Sequence, residues 1–294
     1  MILRKIHIFL LIFIITVGVS AQPKTNISGT IEWDTMRLNS TVTLDLASAG
    51  LRLPSGRTQG ESLLNEGFIN LIKPSLLELQ VDSSTTVADL IERGDFNLYE
   101  IEALALRANS VAPALSHDMR QISSNHSISL VNLSTALLRH DRPSPVMRIL
   151  NPVSTAQYTG ILIIASDSLP MHGMRSSAFP VPCLFPKIWD SEMNLIYDRN
   201  MLESRDTTMV RYSTLENIFQ SNPSGLSAEL RETVGERPLR VFARGVFGIT
   251  PTDLIIERSD ALLILSSDEN RRLLSQGKVA FILNDSVLRY EFNE

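Results

Sequence analysis

Five acidic residues of the C-terminal half could take part in general acid–base chemistry. A glycosidase needs only two carboxyl groups on either side of the bond that it breaks. Clusters of this kind are also common in the solvated loops of acidic proteins. We therefore predict solvated loops and keep a hydrolase as a third hypothesis, which requires two of these carboxylates to lie close together with shifted pKa values. The five residues are Asp167, Asp190, Glu192, Asp198 and Asp206.

One pair of residues matches part of a serine acyl-transferase pattern. Ser275 and Lys278 have the Ser-x-x-Lys spacing, and Ser123-Ser124-Asn125 loosely matches Ser-x-Asn. That chemistry needs the serine at the start of a helix, with the lysine one turn later on the same face. Here Ser275 is predicted to end a helix and Gly277 to stop it. We therefore assign no catalytic residue and predict that the chain is not an enzyme.

The remaining chemistry-bearing residues give no cofactor or metal pattern. The histidines show no metal-ligand spacing, and the motifs of zinc proteases, dinucleotide-binding folds and phosphate-binding loops are absent. Cys183 lies in an apolar stretch and is predicted to be a buried small side chain. Trp33 and Trp189 are predicted to pack on strands. No cofactor and no metal is expected.

The elements of the first half are predicted from its periodicity. Alternation over Ile27–Leu46 indicates a β-hairpin, with its turn near Asn39-Ser40. A helix is expected over 59–78, with a capping box formed by Thr58 and Glu61, and Pro74 should kink or break it. Shorter helical pieces are predicted over 87–91, 99–109, 117–123 and 129–140.

The second half has more strand-like patterns. Residues 158–165 form a continuous apolar run, typical of a central strand covered on both faces. Further strands are predicted over 184–189, 195–197, 240–247, 253–257 and 278–284. Helices are predicted over 227–234, 260–265 and 269–274, the last with a capping box that starts at Ser266.

The predicted fold is α+β. A helix-rich N-terminal half with a β-hairpin covers residues 22–142, and a mixed-sheet α/β half covers 158–294. Three prolines over 143–157 mark the connector between them.

The first 21 residues resemble an export signal. Arg4 and Lys5 precede a 14-residue apolar run, and small residues follow it, which predicts cleavage between Ala21 and Gln22. The run is shorter than the roughly 20 residues of a permanent membrane helix. The predicted location is the periplasm of a diderm bacterium, with no membrane span in the mature chain. The net charge of −5 argues against nucleic-acid binding.

The order of several short segments resembles a known family. Thr159–Ala165 is followed by Phe185–Asp190 and Ile196–Asp198, and then by strands near Arg240 and Val279. This order is similar to that of exported FlgP-like proteins, which are relatives of LPP-type outer-membrane lipoproteins and occur around bacterial flagellar motors. Spirochaete periplasmic proteins are also similar in the first half, around Leu44–Ala47. The resemblance implies a non-enzymatic scaffold, although this chain has no lipidated cysteine.

Two functional hypotheses rank above the hydrolase. The first is a periplasmic structural or interaction protein that self-associates and contacts flagellar or outer-membrane-proximal proteins. Its candidate interface is a strand edge at Leu195, Ile196 and Tyr197. The alternative is a ligand-binding module that recognises a cell-wall fragment or a small molecule in a cleft between the two halves.

Overall fold

The alternating residues at the N-terminal end form a β-hairpin, as predicted. The computed structural model describes residues 24–140, 142–205 and 207–293, so the predicted cleavage site at Ala21 and Gln22 lies outside the described residues. The first half contains β1 (Thr25–Glu32), β2 (Arg37–Asp45), α1 (Gly56–Leu77), β3 (Gln80–Asp82), β4 (Thr85–Thr86), α2 (Val87–Glu92), α3 (Leu98–Leu106), β5 (Asn109–Ser110), β6 (Ala114–Leu115), β7 (Gln121–Ser129) and α4 (Leu130–Leu137).

The second half follows a segment, 143–157, that has neither helix nor strand. Two short 3-10 turns, Arg199–Met201 and Leu215–Ile218, lie within this half. Its elements are β8 (Ile161–Ile164), β9 (Leu169–Pro170), β10 (Ser177–Ala178), β11 (Ile188–Asp190), β12 (Leu195–Tyr197), β13 (Arg211–Ser213), α5 (Ala228–Val234), β14 (Leu239–Phe247), β15 (Asp253–Ile256), α6 (Arg258–Leu265), α7 (Asp268–Ser275), β16 (Val279–Ile282), α8 (Asp285–Leu288) and β17 (Arg289–Asn293).

The predicted α+β class is confirmed, with more strand in the first half than a hairpin. An antiparallel sheet has the order β17-β1-β2-β7-β5, and β6 also pairs with β7. One face is apolar through Leu38, Val42 and Leu44, and it packs on the buried side of α1, which includes Leu64 and Phe68. We call this the inner face, and the polar side the outer face.

The second sheet is mixed, with the order β12-β11-β15-β14-β8-β16-β13. Strands β13, β16, β8 and β14 are parallel, and β15 and β11 run in the opposite direction. The predicted central strand is confirmed: β8 lies between β14 and β16, and its residues 161–163 are buried. Such a strand must be apolar on both faces because both are covered.

Several local predictions were wrong. The hairpin turn lies at 33–36, where Met36 has a φ of 52°, and Asn39 and Ser40 are inside β2. A positive φ is unfavourable for a methionine, and the complete pairing of β1 with β2 compensates for this cost. Residues 117–123 form no helix: they contain the turn before β7 and its start. Burial has a period of two in β7: Ile122, Ser124 and His126 are buried, and the residues between them are not.

The capping predictions also need correction. Helix α1 begins at Gly56, and its N-cap Ser55 makes no side-chain capping bond, so Thr58 and Glu61 form no capping box. Pro74 does not break the helix as the sequence allowed, because it lies inside α1, which continues to Leu77. Helix α7 is capped by Ser267, whose hydroxyl accepts a hydrogen bond from the Asn270 N–H, one residue later than predicted.

The end of the chain returns to the first sheet. Strand β17 pairs antiparallel with β1, with Gly29 opposite Phe292 and Ile31 opposite Tyr290. The last strand of the predicted C-terminal domain thus belongs to the N-terminal sheet. Buried apolar residues of both halves share one large cluster, which runs from Ile27 to Leu288. A smaller cluster around Leu162, Leu230 and Ile282 packs α5 against the second sheet.

Trp33 provides a second connection between the halves. Its backbone N–H donates to the Leu288 carbonyl at 3.0 Å, and its ring packs edge-on against Tyr212, with the centroids 6.0 Å apart. Tyr212 in turn packs against Phe281 of the second sheet. A row of aromatic rings therefore joins the first hairpin to the core of the second half.

Among the described residues, no helix is long and apolar enough to cross a membrane.

Gly29 is required for the β17–β1 contact. A Cβ at this position would lie 2.4 Å from Phe292 Cζ and 2.5 Å from the Asn39 carbonyl oxygen. We predict that Gly29→Ala lowers the free energy of unfolding by about 1–3 kcal/mol, as overpacked sites do. The measurement is urea unfolding followed by circular dichroism.

Gly67 supplies the matched control for this substitution. It lies inside α1, and no atom is within 4 Å of a Cβ built there. Gly67→Ala should therefore raise stability by about 0.5–1 kcal/mol, because it removes the entropic cost of a helical glycine. Equal effects of the two substitutions would contradict the assigned role of Gly29.

Candidate functional site

The predicted acidic loops divide into exposed and buried groups. Asp190 is fully buried, and so the prediction of a solvated loop is wrong for this residue. Its carboxylate accepts hydrogen bonds from the backbone and side chain of Asn194 and from the guanidinium of Arg258. Burial alone would raise the pKa of Asp190, but these hydrogen bonds outweigh it and hold the pKa below its ordinary value. Asp206 lies outside the described residues.

Asp253 is a second buried carboxylate, which the sequence did not single out. It is 0% exposed and accepts four hydrogen bonds. The Lys187 N–H and the Thr252 hydroxyl donate to Oδ1, both at 3.1 Å. The Trp189 indole N–H donates to Oδ2 at 3.1 Å, and the Ser83 hydroxyl donates to the same oxygen at 3.2 Å.

The hydrogen bonds around Asp253 indicate a structural rather than a catalytic role for this residue. Burial raises the pKa of Asp253, while the hydrogen bonds from Trp189 and Lys187 favour its charged form. All four donors come from the protein, so the carboxylate is saturated and has no lone pair directed to a substrate. Because Ser83 belongs to the β3–β4 turn and the other three donors to the second half, Asp253 ties the two halves together.

The other predicted groups do not converge on a catalytic arrangement. Ser275 is at the end of α7, and its hydroxyl donates to Glu203 Oε1 at 2.8 Å, while Lys278 follows Gly277 and begins the approach to β16. Within the described ranges, no group of three or more His, Cys, Asp or Glu side chains is placed to hold a metal ion. Cys183 is buried, as predicted, and burial raises the pKa of its thiol.

The predicted interface strand is an edge strand with buried residues. Strand β12 lies at the end of the second sheet. The backbone and side chains of Ile196 and Tyr197 are nevertheless completely buried. The Tyr197 hydroxyl donates to the Met209 carbonyl at 2.9 Å. These two residues are therefore not available for strand addition, which corrects the prediction. A role for the partly exposed Leu195 stays a prediction.

A cleft at the junction of the halves is the best candidate for a binding site. We call it the junction cleft; it encloses about 400 Å³ and has mostly apolar walls. The first half provides the end of β1, the end of α1 and the start of β3, and the second half provides the segment before Cys183, α8 and β17. Its lining residues are Ile31, Trp33, Ser75, Glu78, Leu79, Gln80, Val181, Pro182, Ser286, Val287, Arg289 and Tyr290.

The walls of the junction cleft are held by backbone hydrogen bonds. The Leu184 N–H donates to the Gln80 carbonyl at 3.0 Å, and the Phe185 N–H donates to the Val81 carbonyl at 2.8 Å. These bonds fix the Leu79–Gln80 wall against the Val181–Pro182 wall. The site is therefore preformed, as small-molecule sites usually are.

Ser75 places an unsatisfied polar group in the wall. The residue is 4% exposed, and its hydroxyl has no hydrogen-bond partner among the described residues. A buried hydroxyl without a partner costs about 1–3 kcal/mol. The hydroxyl oxygen itself is buried in the wall and is not accessible from the cleft. The mostly apolar lining, with Glu78 and Arg289 among its residues, has the composition of a site for an amphipathic molecule.

Family comparisons cover both halves of the chain. Residues 24–136 match the family model described as Treponema pallidum Tp0624, N-terminal domain, and residues 160–285 match the model described as the second domain of the same protein. The chain is similar to Tp0624 in both halves. No curated protein matches the chain. Neither description names an activity, a flagellar protein or a lipoprotein, so the resemblance to FlgP-like proteins stays a prediction.

The role assigned to Asp253 gives a stability prediction. Asp253→Asn should lower the free energy of unfolding by about 1.5–3 kcal/mol, because the amide NH₂ would face two donors and a hydrogen bond to a charged group would be lost. Asp167→Asn is the control, since Asp167 is exposed. Urea unfolding at pH 7 measures both; a change at Asp253 no larger than that at Asp167 would refute the assignment.

The Asp190–Arg258 pair gives a pH prediction. Because the pKa of Asp190 is lowered by folding, its contribution to stability is present above the ordinary carboxyl pKa and is lost as the pH falls through the folded-state pKa. Asp190→Asn should therefore lower stability by about 1.5–3 kcal/mol at pH 7, and this deficit should shrink only as the pH falls below about 3.9, the ordinary pKa of an aspartate.

Glu192 is the matched control for this pair. It lies 3.7 Å from the same guanidinium, but its side chain is 65% exposed. Glu192→Gln should change stability by less than about 1 kcal/mol at any pH, because exposed ion pairs contribute little. Urea midpoints across the pH range test both variants, and a deficit of Asp190→Asn that is independent of pH would contradict the prediction.

Proposed function

We propose that this chain is a non-enzymatic binding protein that holds an apolar or amphipathic ligand in the junction cleft. The observation that carries the proposal is the cleft itself: it is preformed and has mostly apolar walls. The absence of catalytic motifs in the sequence supports a binding role. An apolar ligand would gain about 25 cal/mol for each Å² of apolar surface that it removes from water.

The two aromatic residues of the cleft serve different purposes. Trp33 is 5% exposed and is part of the aromatic row that joins the halves, so its ring is held in place. Tyr290 is 55% exposed and stands on the last strand. A rigid indole and an accessible phenol among the lining residues of an apolar space suit a planar or chain-like ligand.

A self-associating structural role is the second candidate function. The observation that favours it is Phe242, which is 62% exposed although it lies on β14, in the middle of the second sheet. Aromatic residues are enriched at protein–protein interfaces, so Phe242 is a candidate contact residue. The proposed periplasmic location and the proposed flagellar or outer-membrane-proximal partners rest on the N-terminal residues and on the family resemblance.

Occupancy of the junction cleft can be tested with a fluorescent amphiphile. Anilinonaphthalene sulfonate should bind next to Trp33 and quench its emission by energy transfer. Val287→Phe narrows the cleft, and we expect it to weaken binding by about tenfold, equivalent to about 1.4 kcal/mol. Fluorescence titration measures the affinity.

Val153→Phe is the control for this experiment. Val153 is partly exposed in the connector and is not among the cleft-lining residues. Both substitutions replace valine by phenylalanine, so a general increase in surface hydrophobicity would change dye binding equally in the two variants. Equal affinities of the two variants, or no energy transfer from tryptophan, would exclude the cleft as the binding site.

A further inference from the structure

Strand β17 leaves one edge of the first sheet unpaired. Among the described residues it pairs only with β1, and four of its five residues are exposed. Unpaired N–H and C=O groups on such an edge are a template for another strand. Unlike β12, whose Ile196 and Tyr197 are covered, β17 is therefore accessible.

The side chains of β17 divide by face. Tyr290 and Phe292 lie opposite Ile31 and Gly29, and so they are on the inner face. Arg289, Glu291 and Asn293 alternate with them and have the outer-face register, although Arg289, at the start of the strand, also lines the junction cleft. This alternation of aromatic and polar residues means that an added strand would need apolar side chains at alternate positions.

The junction cleft lies on the same side as the inner face of β17. Tyr290 and its cross-strand neighbour Ile31 both line the cleft. Neighbouring strands are about 4.8 Å apart, so the inward side chains of a strand added to β17 would stand beside Tyr290 at the mouth of the cleft. The free edge and the apolar cleft therefore form one continuous surface.

The charges of the outer face define the partner further. No ion pair involves Arg289 or Glu291 among the described residues, and two positions separate them on the strand. Every pairing in this sheet is antiparallel. A complementary antiparallel strand has a basic residue opposite Glu291 and an acidic residue opposite Arg289, since opposite charges across strands are favourable.

We propose that the junction cleft, in the binding role proposed above, recognises an extended peptide segment of a partner protein that adds to β17 as an antiparallel strand. Its apolar residues enter the cleft mouth beside Tyr290, and its flanking charges pair with Glu291 and Arg289. Main-chain hydrogen bonds supply affinity, and the cleft and the charges supply specificity.

The probe is a synthetic peptide with the sequence Thr-Val-Lys-Val-Glu, blocked at both ends. In the antiparallel register its lysine faces Glu291 and its glutamate faces Arg289. Hydrogen–deuterium exchange of the purified protein, with millimolar peptide, should show about fivefold slower exchange of the amides at 289–293. Thr-Val-Lys-Pro-Glu is the matched control peptide, because proline removes a donor and disrupts the strand.

A charge exchange tests the register. Glu291→Lys should abolish the protection given by the first peptide, and a Thr-Val-Glu-Val-Glu peptide should restore it. Because Glu291 is exposed on the outer face, this substitution leaves the cleft unchanged. Equal protection of the original protein and Glu291→Lys by the first peptide, or no protection of either, would overturn the proposal.

Failure of this inference is distinguishable from failure of the proposed function. If the peptide protects nothing while anilinonaphthalene sulfonate binds the original protein and not Val287→Phe, the cleft takes a small ligand and the peptide proposal is overturned. If 289–293 become protected as the protein concentration rises, without peptide, a second copy occupies the edge and the peptide proposal is also overturned.

Discussion

The buried carboxylate of Asp253 is the interaction on which the arrangement of the two halves depends. A charge taken out of water needs donors in place around it, and here one donor, Ser83, comes from the first half. The β3–β4 turn must therefore sit against β15, which brings Gln80 and Val81 to the backbone of 184–185. The same docking sets two walls of the junction cleft, so the candidate site is a consequence of how the halves are joined.

The return of the chain to the first sheet completes that site. Strand β17 supplies Tyr290 to the cleft, and Gly29 makes room for Phe292 to lie across β1. Trp33 extends from the end of β1 to Tyr212 in the second half. The first sheet and the second half are therefore held by backbone pairing, by aromatic packing and by a buried charge, three contacts of different physical kinds.

Local patterns predicted much of the fold, because strands and helices that bury one face repeat with a fixed period. The first hairpin and α1 were predicted on that basis, whereas β8 was predicted from its continuous apolar run. The strand over 121–129 was missed because its inner face alternates Ile122 and Ile128 with Ser124 and His126, which weakens the apolar signal. Strand β17 was missed because five residues with two aromatics are too short to show a period, and its partner is more than 250 positions away in the chain.

The residues of the candidate site could not be predicted from the sequence, for a similar physical reason. The junction cleft combines six short segments, and no spacing along the chain connects Ile31 with Pro182 or Tyr290. The sequence does not distinguish Asp253 and Asp190 from exposed carboxylates, because their burial is evident only in the folded structure. The sequence analysis did offer a cleft between the halves as an alternative binding site. The similarity to Tp0624 covers 24–136 and 160–285, and so it ends before the cleft residues of α8 and β17.

The most direct test of the central claim is a crystal structure of the protein grown with anilinonaphthalene sulfonate. The account predicts density for the molecule between Trp33 and Tyr290, with its apolar rings against Val181, Pro182 and Val287. Density for the molecule elsewhere on the surface, or a junction that is closed by side chains, would contradict it.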